Sequence, residues 1–360
     1  MKLFSLFIVL ALLLSFTAGA QEKKETFLIV KEIEHSPVIS QGRTGTCWSF
    51  STTSYFESEI MRLTGEKVDL SEMYFVNYAY VNKAKQYLMF HGHNNFGQGG
   101  QAHDVSNVIR EYGMATIDAF PGKKVDGVYN HSELVKKLKD DLTAANKRKE
   151  DFDFMAAIDT VYMDLEKYIG PVPQKVEFNG KALSPLDFSK SVKINADDYI
   201  ELSSYTHHPF YKQFVLEVPD NWSHDLYYNL PVDELMEVMF YALNSGYSIC
   251  WDGDVSEKLF QHKNGKADLP KEQIGKVTQE MRQKTFLNRK TTDDHLMHIV
   301  GLSKDSEGRT CFYTKNSWGA ESNSYGGYLH MTEDFVKLKT IAFMIHKDAL
   351  PANIKAKLNL

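Results

Sequence analysis

Three short segments carry residue types able to do nucleophilic chemistry. The first is Gln41-Gly42-Arg43-Thr44-Gly45-Thr46-Cys47-Trp48-Ser49-Phe50-Ser51, in which a cysteine opens a stretch of helical periodicity. At a helix start, unpaired backbone N–H groups and the helix dipole favour negative charge, so this position predicts a Cys47 thiol shifted toward the reactive thiolate. The second, Asp293-Asp294-His295-Leu296-Met297-His298, sets a histidine at the head of a strand. The third, Lys315-Asn316-Ser317-Trp318-Gly319, follows a strand and ends in a turn. Each alone has an ordinary explanation: a small buried cysteine, a hydrogen-bonded histidine, a turn-forming asparagine. Together they supply a nucleophile, a general base and an amide that orients the base, the parts that acyl transfer requires.

These segments must be positioned by elements readable from periodicity. Phe56, Ile60 and Leu63 continue one stripe from Cys47, and Gly65 is the stop. A second helix is expected behind a capping box of Asp69 and Glu72, with Met73, Val76, Tyr80, Ala84 and Tyr87 as its apolar face. A third, through Val105, Val108, Ile109 and Tyr112, closes at Gly113, and a later one runs from Val232 to Asn244. Residues 121–230 read as an insertion of charged helices and loops. Strands are then expected at Tyr247–Trp251, His295–Leu302, Thr310–Lys315, Tyr328–Met331 and Thr340–His346, as an antiparallel sheet or small barrel. Helices first and strands after define an α+β architecture, with the cleft between the two parts as the natural site.

Composition narrows the function classes. Hydrophobic residues make up 43% of the 360, enough for a large core, and the net charge of −6 provides no basic surface for nucleic acid. Three cysteines, Cys47, Cys250 and Cys311, are too few for a disulfide scaffold or a four-cysteine metal site, although a Cys250–Cys311 bond stays open. His91, His93, His103, His207 and His208 read as surface or hydrogen-bonding histidines, because no Cys or carboxylate stands at a familiar zinc spacing; no metal is expected. His298 falls on the strand face opposite His295 and is a poor rival base. At the amino end, Lys2, the apolar run Leu3 to Phe16 and Ala18-Gly19-Ala20 make a secretory signal over residues 1–20, cleaved after Ala20. The run is shorter than a membrane span needs, so a secreted or periplasmic protein without a stable membrane anchor is expected.

Gln41, then Cys47-Trp48, then Asp294-His295, then Asn316-Ser317-Trp318-Gly319 together resemble the papain-like cysteine peptidases in order and local spacing. Within them the chain is similar to the bleomycin hydrolase and bacterial aminopeptidase C branch. That likeness is carried further by Gly99-Gly100-Gln101, Ser184-Pro185-Leu186-Asp187-Phe188, His208-Pro209-Phe210-Tyr211 and Trp251-Asp252-Gly253-Asp254-Val255. The resemblance implies one papain-like peptidase domain over 21–350, with a helical part at about 36–120, the insertion at about 121–230 and a sheet-rich part at about 231–350. A short tail, 351–360, follows.

By the same resemblance Cys47 is the nucleophile, His295 the base and later the acid, and Asn316 the orienting amide. Gln41 is the side-chain donor of the oxyanion hole, and Trp318 shields the Asn316–His295 hydrogen bond. Gly99 and Gly100 are the glycine pair along which substrate lays its backbone. Peptides are the implied substrates, without metal or cofactor; homo-oligomerisation is left open. Thr44 replaces a disulfide cysteine of papain. The branch's C-terminal arm, which confines cleavage to free amino termini, is here reduced to Ala352 to Leu360, whose terminal carboxylate is one candidate block and the insertion another. The resemblance implies aminopeptidase action; the shortened arm makes an endopeptidase on the same machinery the alternative, and a catalytically silent peptide-binding protein is the other.

Overall fold

The computed structural model describes residues 25–360; the expected signal, 1–20, lies outside them. Strand β1 (Leu28–Glu32) precedes three helices, α1 (Cys47–Thr64), α2 (Glu72–Met89) and α3 (Ala102–Tyr112). The next stretch holds α4 (Ser132–Asn146), α5 (Phe154–Tyr168), the hairpin β2 (Val176–Phe178) and β3 (Lys181–Leu183), and α6 (Pro185–Ser191). Strands β4 (Tyr199–Ser203), β5 (Gln213–Val215) and β6 (Leu226–Asn229) follow. The remainder is α7 (Val232–Asn244), β7 (Ile249–Gly253), β8 (Phe260–Gln261), β9 (Lys266–Ala267), α8 (Gln279–Leu287), β10 (His295–Lys304), β11 (Thr310–Lys315), β12 (Tyr328–Thr332), α9 (Glu333–Lys339), β13 (Thr340–His346) and α10 (Ala352–Leu358).

The fold is α+β. The helical half has its own core, in which Phe56, Ile60, Phe75, Val76, Val105 and Val108 are buried together. Its helices end where the sequence predicts: Gly65 takes the left-handed conformation after α1, at φ 76°, and Gly113 closes α3. The start of α2 differs from expectation. Ser71, not Asp69, is the N-cap, its side chain accepting from the Tyr74 amide, while Asp69 stays outside the helix.

The other half is a sheet ordered β5-β6-β4-β13-β7-β10-β11-β12-β9-β8, with β1 paired to β10. Most pairs are antiparallel, but β4–β6 and β12–β9 are parallel. Against its other face pack α7, α9 and α10, through Leu235, Met239, Phe335, Ile354 and Leu358. The insertion is not a separate body: Leu134, Leu138, Ile158 and Leu165 of α4 and α5 join the helical core, and β4, β5 and β6 extend the main sheet.

Register fixes the two ends of this sheet. Gly253 pairs with both His295 and Thr340, so these three residues share one end. The opposite end of β13 lies at His346, which pairs with Tyr199, about 20 Å away at 3.4 Å per residue. There Leu360 lines a cavity with Asp197, Tyr199 and Lys347. The tail therefore does not enter the end that carries His295; it is committed to α10, held by Ile354 and Leu358 in the core and by the Lys357–Glu234 and Lys355–Asp348 ion pairs.

The two halves meet along α1, which packs on β10 and β7 through polar contacts. Ser51 and Thr52 touch the Cys250 sulfur at 3.4 and 3.3 Å, and Ser54 bonds His298 Nδ1 at 2.8 Å. Lys315 donates to Ser54 and Ser36, and Glu57 accepts from Ser36 and from the Leu70 amide. Burial pushes Glu57 up to about 7 and Glu72 up to about 8, and lowers Lys315 to about 8. All three cysteines are free. Cys250 sits beside His298 and Cys311 beside Ser303, five residues apart along β10 and hence about 17 Å, which no disulfide spans.

Candidate active site

Cys47 is the first residue of α1, half-buried, and a backbone hydrogen bond from Leu296 reaches its sulfur. That contact sets the thiol against the first residues of β10, where His295 stands. His295 Nε2 lies 2.7 Å from Asn316 Oδ1. The same oxygen accepts from the Ser317 amide at 2.7 Å, which fixes the carboxamide's orientation. An oxygen only accepts, so the hydrogen is on Nε2, and Nδ1 is the unprotonated atom of the neutral ring. The Trp318 ring covers His295 at 4.9 Å between centroids and is itself 37% exposed, facing water on one side.

Gln41 reaches the site from the segment before α1. Its Nε2 donates to the Thr44 carbonyl at 2.7 Å, and its Oε1 accepts from Ser317 Oγ at 2.6 Å. The amide is thereby locked in plane with one N–H left over. The Thr44 hydroxyl bonds the Gln41 carbonyl at 2.8 Å and Thr46 Oγ1 at 2.6 Å. Gly42, at φ 67°, lies so close to Tyr129 that a Cβ would fall 2.7 Å from its carbonyl oxygen.

Gly99 and Gly100 lead into α3 across the cleft. Their missing side chains make room for protein: a Cβ on Gly99 would fall inside the Asp220 carboxylate, and one on Gly100 would meet Asp104 and the Trp48 ring. Lys83 holds the loop from beneath, donating to the Gly97 and Gly99 carbonyls. The close approach expected from substrate is thus already required by Asp220, which belongs to the insertion.

The titration of Cys47 departs from expectation. Burial pushes the thiol up to about 12, with Asp252, Asp293 and Asp220 adding to the rise and the Leu296 hydrogen bond opposing it. The helix start does not outweigh that desolvation, and α1 has no side-chain N-cap bond to strengthen it. Burial likewise lowers His295 to about 4, against the Asn316 hydrogen bond. Both shifts have one cause, desolvation, which favours the neutral thiol and the neutral imidazole over an ion pair.

Three features had no signal in sequence spacing. His262, in the turn after β8, accepts from Asn316 Nδ2 at 3.3 Å, while its Nε2 bonds Ser322 Oγ at 2.8 Å and its ring meets Trp318 at 4.6 Å. Asp220, Asp252 and Asp293 converge from separate stretches. Glu217 bonds both His207 and His208, at 3.0 and 2.6 Å, a group whose carboxylate lies ten and nine residues from its two histidines. His103 is a buried structural partner of Glu201 at 2.6 Å, its pKa raised to about 10: burial pulls the ring down, and the Glu201 carboxylate outweighs it. His298 faces α1, away from Asn316.

The chain belongs to the peptidase C1-like family, whose model matches residues 173–360; that of the papain family of cysteine proteases matches residues 27–181. Its relatives in that family are cysteine peptidases, and so is this enzyme. Aminopeptidase W of Lactobacillus delbrueckii subsp. lactis is 24% identical, over 94% of this chain and 86% of its own. Bleomycin hydrolase of Rattus norvegicus is 23% identical, over 95% and 87%. Among solved structures, PepW from Lactobacillus rhamnosis HN001 (DR20) shares the fold at a TM-score of 0.74 and 19% identity, covering 92% of this chain and 84% of that one.

Proposed function

We propose that this cysteine peptidase is an exported aminopeptidase that works through an acyl-enzyme on Cys47. The observation that carries the reading is the His295–Asn316 bond at 2.7 Å, which leaves Nδ1 as the ring's only acceptor on a strand whose next residue touches the Cys47 sulfur. In the first step the Cys47 sulfur attacks the scissile carbonyl carbon and its proton passes to His295. The charge on the carbonyl oxygen is met by the Cys47 backbone N–H and the spare N–H of Gln41. The carbon–nitrogen bond then breaks as His295 returns its proton to the leaving amine. Water attacks the thioester, again giving a proton to His295, and the acid leaves with the thiol restored.

Asn316 keeps the imidazole in the required tautomer, and Trp318 keeps water from that bond. Export is supported by the composition of residues 1–20, and among the described residues no helix is long and apolar enough to cross a membrane. The names of the aminopeptidase relatives, W, G and E, support removal of amino-terminal residues. The test is digestion of a peptide with a free amino terminus beside its acetylated twin, with products read by mass spectrometry. Stepwise loss of first residues from the free peptide alone is expected; equal internal cutting of both would establish the endopeptidase instead.

A further inference from the structure

The docked tail leaves unexplained what, at the catalytic end, would recognise a free amino terminus. Leu296, whose backbone touches the Cys47 sulfur, is paired across the sheet with Asp252, so the two side chains rise on one face. That face looks toward α1: two residues earlier on β7, Cys250 touches Ser51 and Thr52. Moving from Cys250 to Asp252 along β7 parallels moving from Ser51 back one turn to Cys47 along α1. Asp252 therefore stands beside the nucleophile.

Asp252 is 2% exposed, and among the described residues its carboxyl meets no donor side chain or backbone N–H: its hydrogen-bond partner is the neighbouring Asp293 carboxyl, a pairing of two acids that together with burial holds Asp252 in its protonated form well above the usual carboxylate range. Such a group is costly unless something completes it. The Tyr205 hydroxyl, on a fully buried ring that feels both Asp252 and Asp293, also has no partner. Asp293, two residues before His295, is held by Gln101 Nε2 at 2.8 Å, and Gln101 follows directly on Gly99-Gly100. Asp220, held by Asn95 at 2.9 Å, closes over Gly99 from the insertion. Three acidic groups thus act on Cys47 from one side, and Lys83, which feels Asp220, donates to the glycine carbonyls.

We propose that Asp252, with Asp293 and Asp220, is the subsite that binds the ammonium group of the peptide's first residue. Resting on the aminopeptidase reading, this assignment supplies at the His295 end the recognition that residues 352–360, docked at the other end of the sheet, do not. An ammonium brings three N–H donors and a positive charge to a pair of carboxyls that otherwise have only each other's proton. A lysine side chain two residues before the scissile bond offers the same chemistry. The α-ammonium is favoured because Asp220 closes the cleft at the glycine pair, which stops a longer chain from passing.

The test uses the purified enzyme and four peptides of one sequence: free amine, desamino, acetylated, and acetylated with lysine two residues before the scissile bond. For the wild type, kcat/KM for the free amine is expected to exceed that for the desamino and acetylated twins by at least 30-fold, chiefly through KM. Asp252→Asn keeps the volume and can still bond Asp293, and should reduce that ratio at least tenfold; the less buried Asp220→Asn, whose side chain bonds Asn95, should reduce it at least threefold. If selectivity persists undiminished in both variants, the subsite is refuted while the aminopeptidase reading stands. If the acetylated lysine peptide matches the free amine and loses its advantage in Asp252→Asn, the cluster reads a side chain and the α-ammonium assignment falls. Cleavage indifferent to the amine in the wild type overturns both, and no cleavage of any peptide overturns the peptidase reading itself.

Discussion

Replacing Asn316 by alanine separates orientation from proton transfer. In the folded enzyme the Asn316 oxygen accepts from His295 Nε2 and from the Ser317 amide, both at 2.7 Å, and the site is buried. The variant leaves the imidazole N–H without an acceptor and frees the ring to turn its protonated nitrogen toward Cys47. A buried donor stripped of its partner costs about 1–3 kcal/mol. At 1.4 kcal/mol per tenfold, turnover should fall by about 5- to 150-fold. His295→Ala, which removes the acceptor of the thiol proton altogether, should cost more than about a thousandfold. The assay is kcat on a fluorogenic amino-acid amide, with circular dichroism to show that both variants are folded. A loss under twofold for Asn316→Ala, or one equal to that of His295→Ala, would refute the division of roles.

His298→Ala should cost less than about threefold in turnover, because this ring bonds Ser54 on the α1 side; an inactive, folded variant would make His298 the base. Deleting Ala352 to Leu360 should lower stability, since Ile354 and Leu358 are core residues, yet leave the preference for free over acetylated peptides unchanged in the folded fraction. A switch to internal cleavage would place the tail in the cleft after all. Glu57, pushed by burial from about 4.5 to about 7, holds a proton that the unfolded chain releases, so its stabilising contribution is complete below about pH 4.5 and is lost as pH rises through about 7. Glu57→Gln should therefore gain stability relative to the wild type between pH 5 and 8, read as the difference in Tm; a difference that does not change with pH would contradict the assignment.

Much of this enzyme is legible in its sequence because glycines, apolar stripes and β-branched runs act locally. Gly65 and Gly113 end helices, and the strands beginning at His295, Thr310 and Thr340 start where their side-chain patterns do. The α+β class follows from such local signals taken in order, whereas the peptidase family is legible only through the resemblance carried by Gln41, Cys47-Trp48, Asp294-His295 and Asn316-Ser317-Trp318-Gly319. What escaped depends on distant partners. Strands β5 and β6 have three and four residues and are stabilised only by the sheet they join, so nothing in 206–230 announces them. Ser71 wins the cap from Asp69 through its contact with the Phe120 carbonyl, 49 residues on. His262 reaches Asn316 across 54 residues, and the three carboxylates beside Cys47 come from the insertion, β7 and the approach to β10. The raised Cys47 pKa is likewise a property of the closed interface between the two halves, which periodicity along one helix does not report.

The most direct measurement of the central claim is mass spectrometry of the enzyme quenched in acid during turnover of an amino-acid ester. The account predicts a mass increase equal to the substrate's acyl group, located on the peptide containing Cys47, absent from Cys47→Ala and blocked by prior iodoacetamide. Undiminished hydrolysis by a folded Cys47→Ala enzyme, with no acyl group on any peptide, would contradict it.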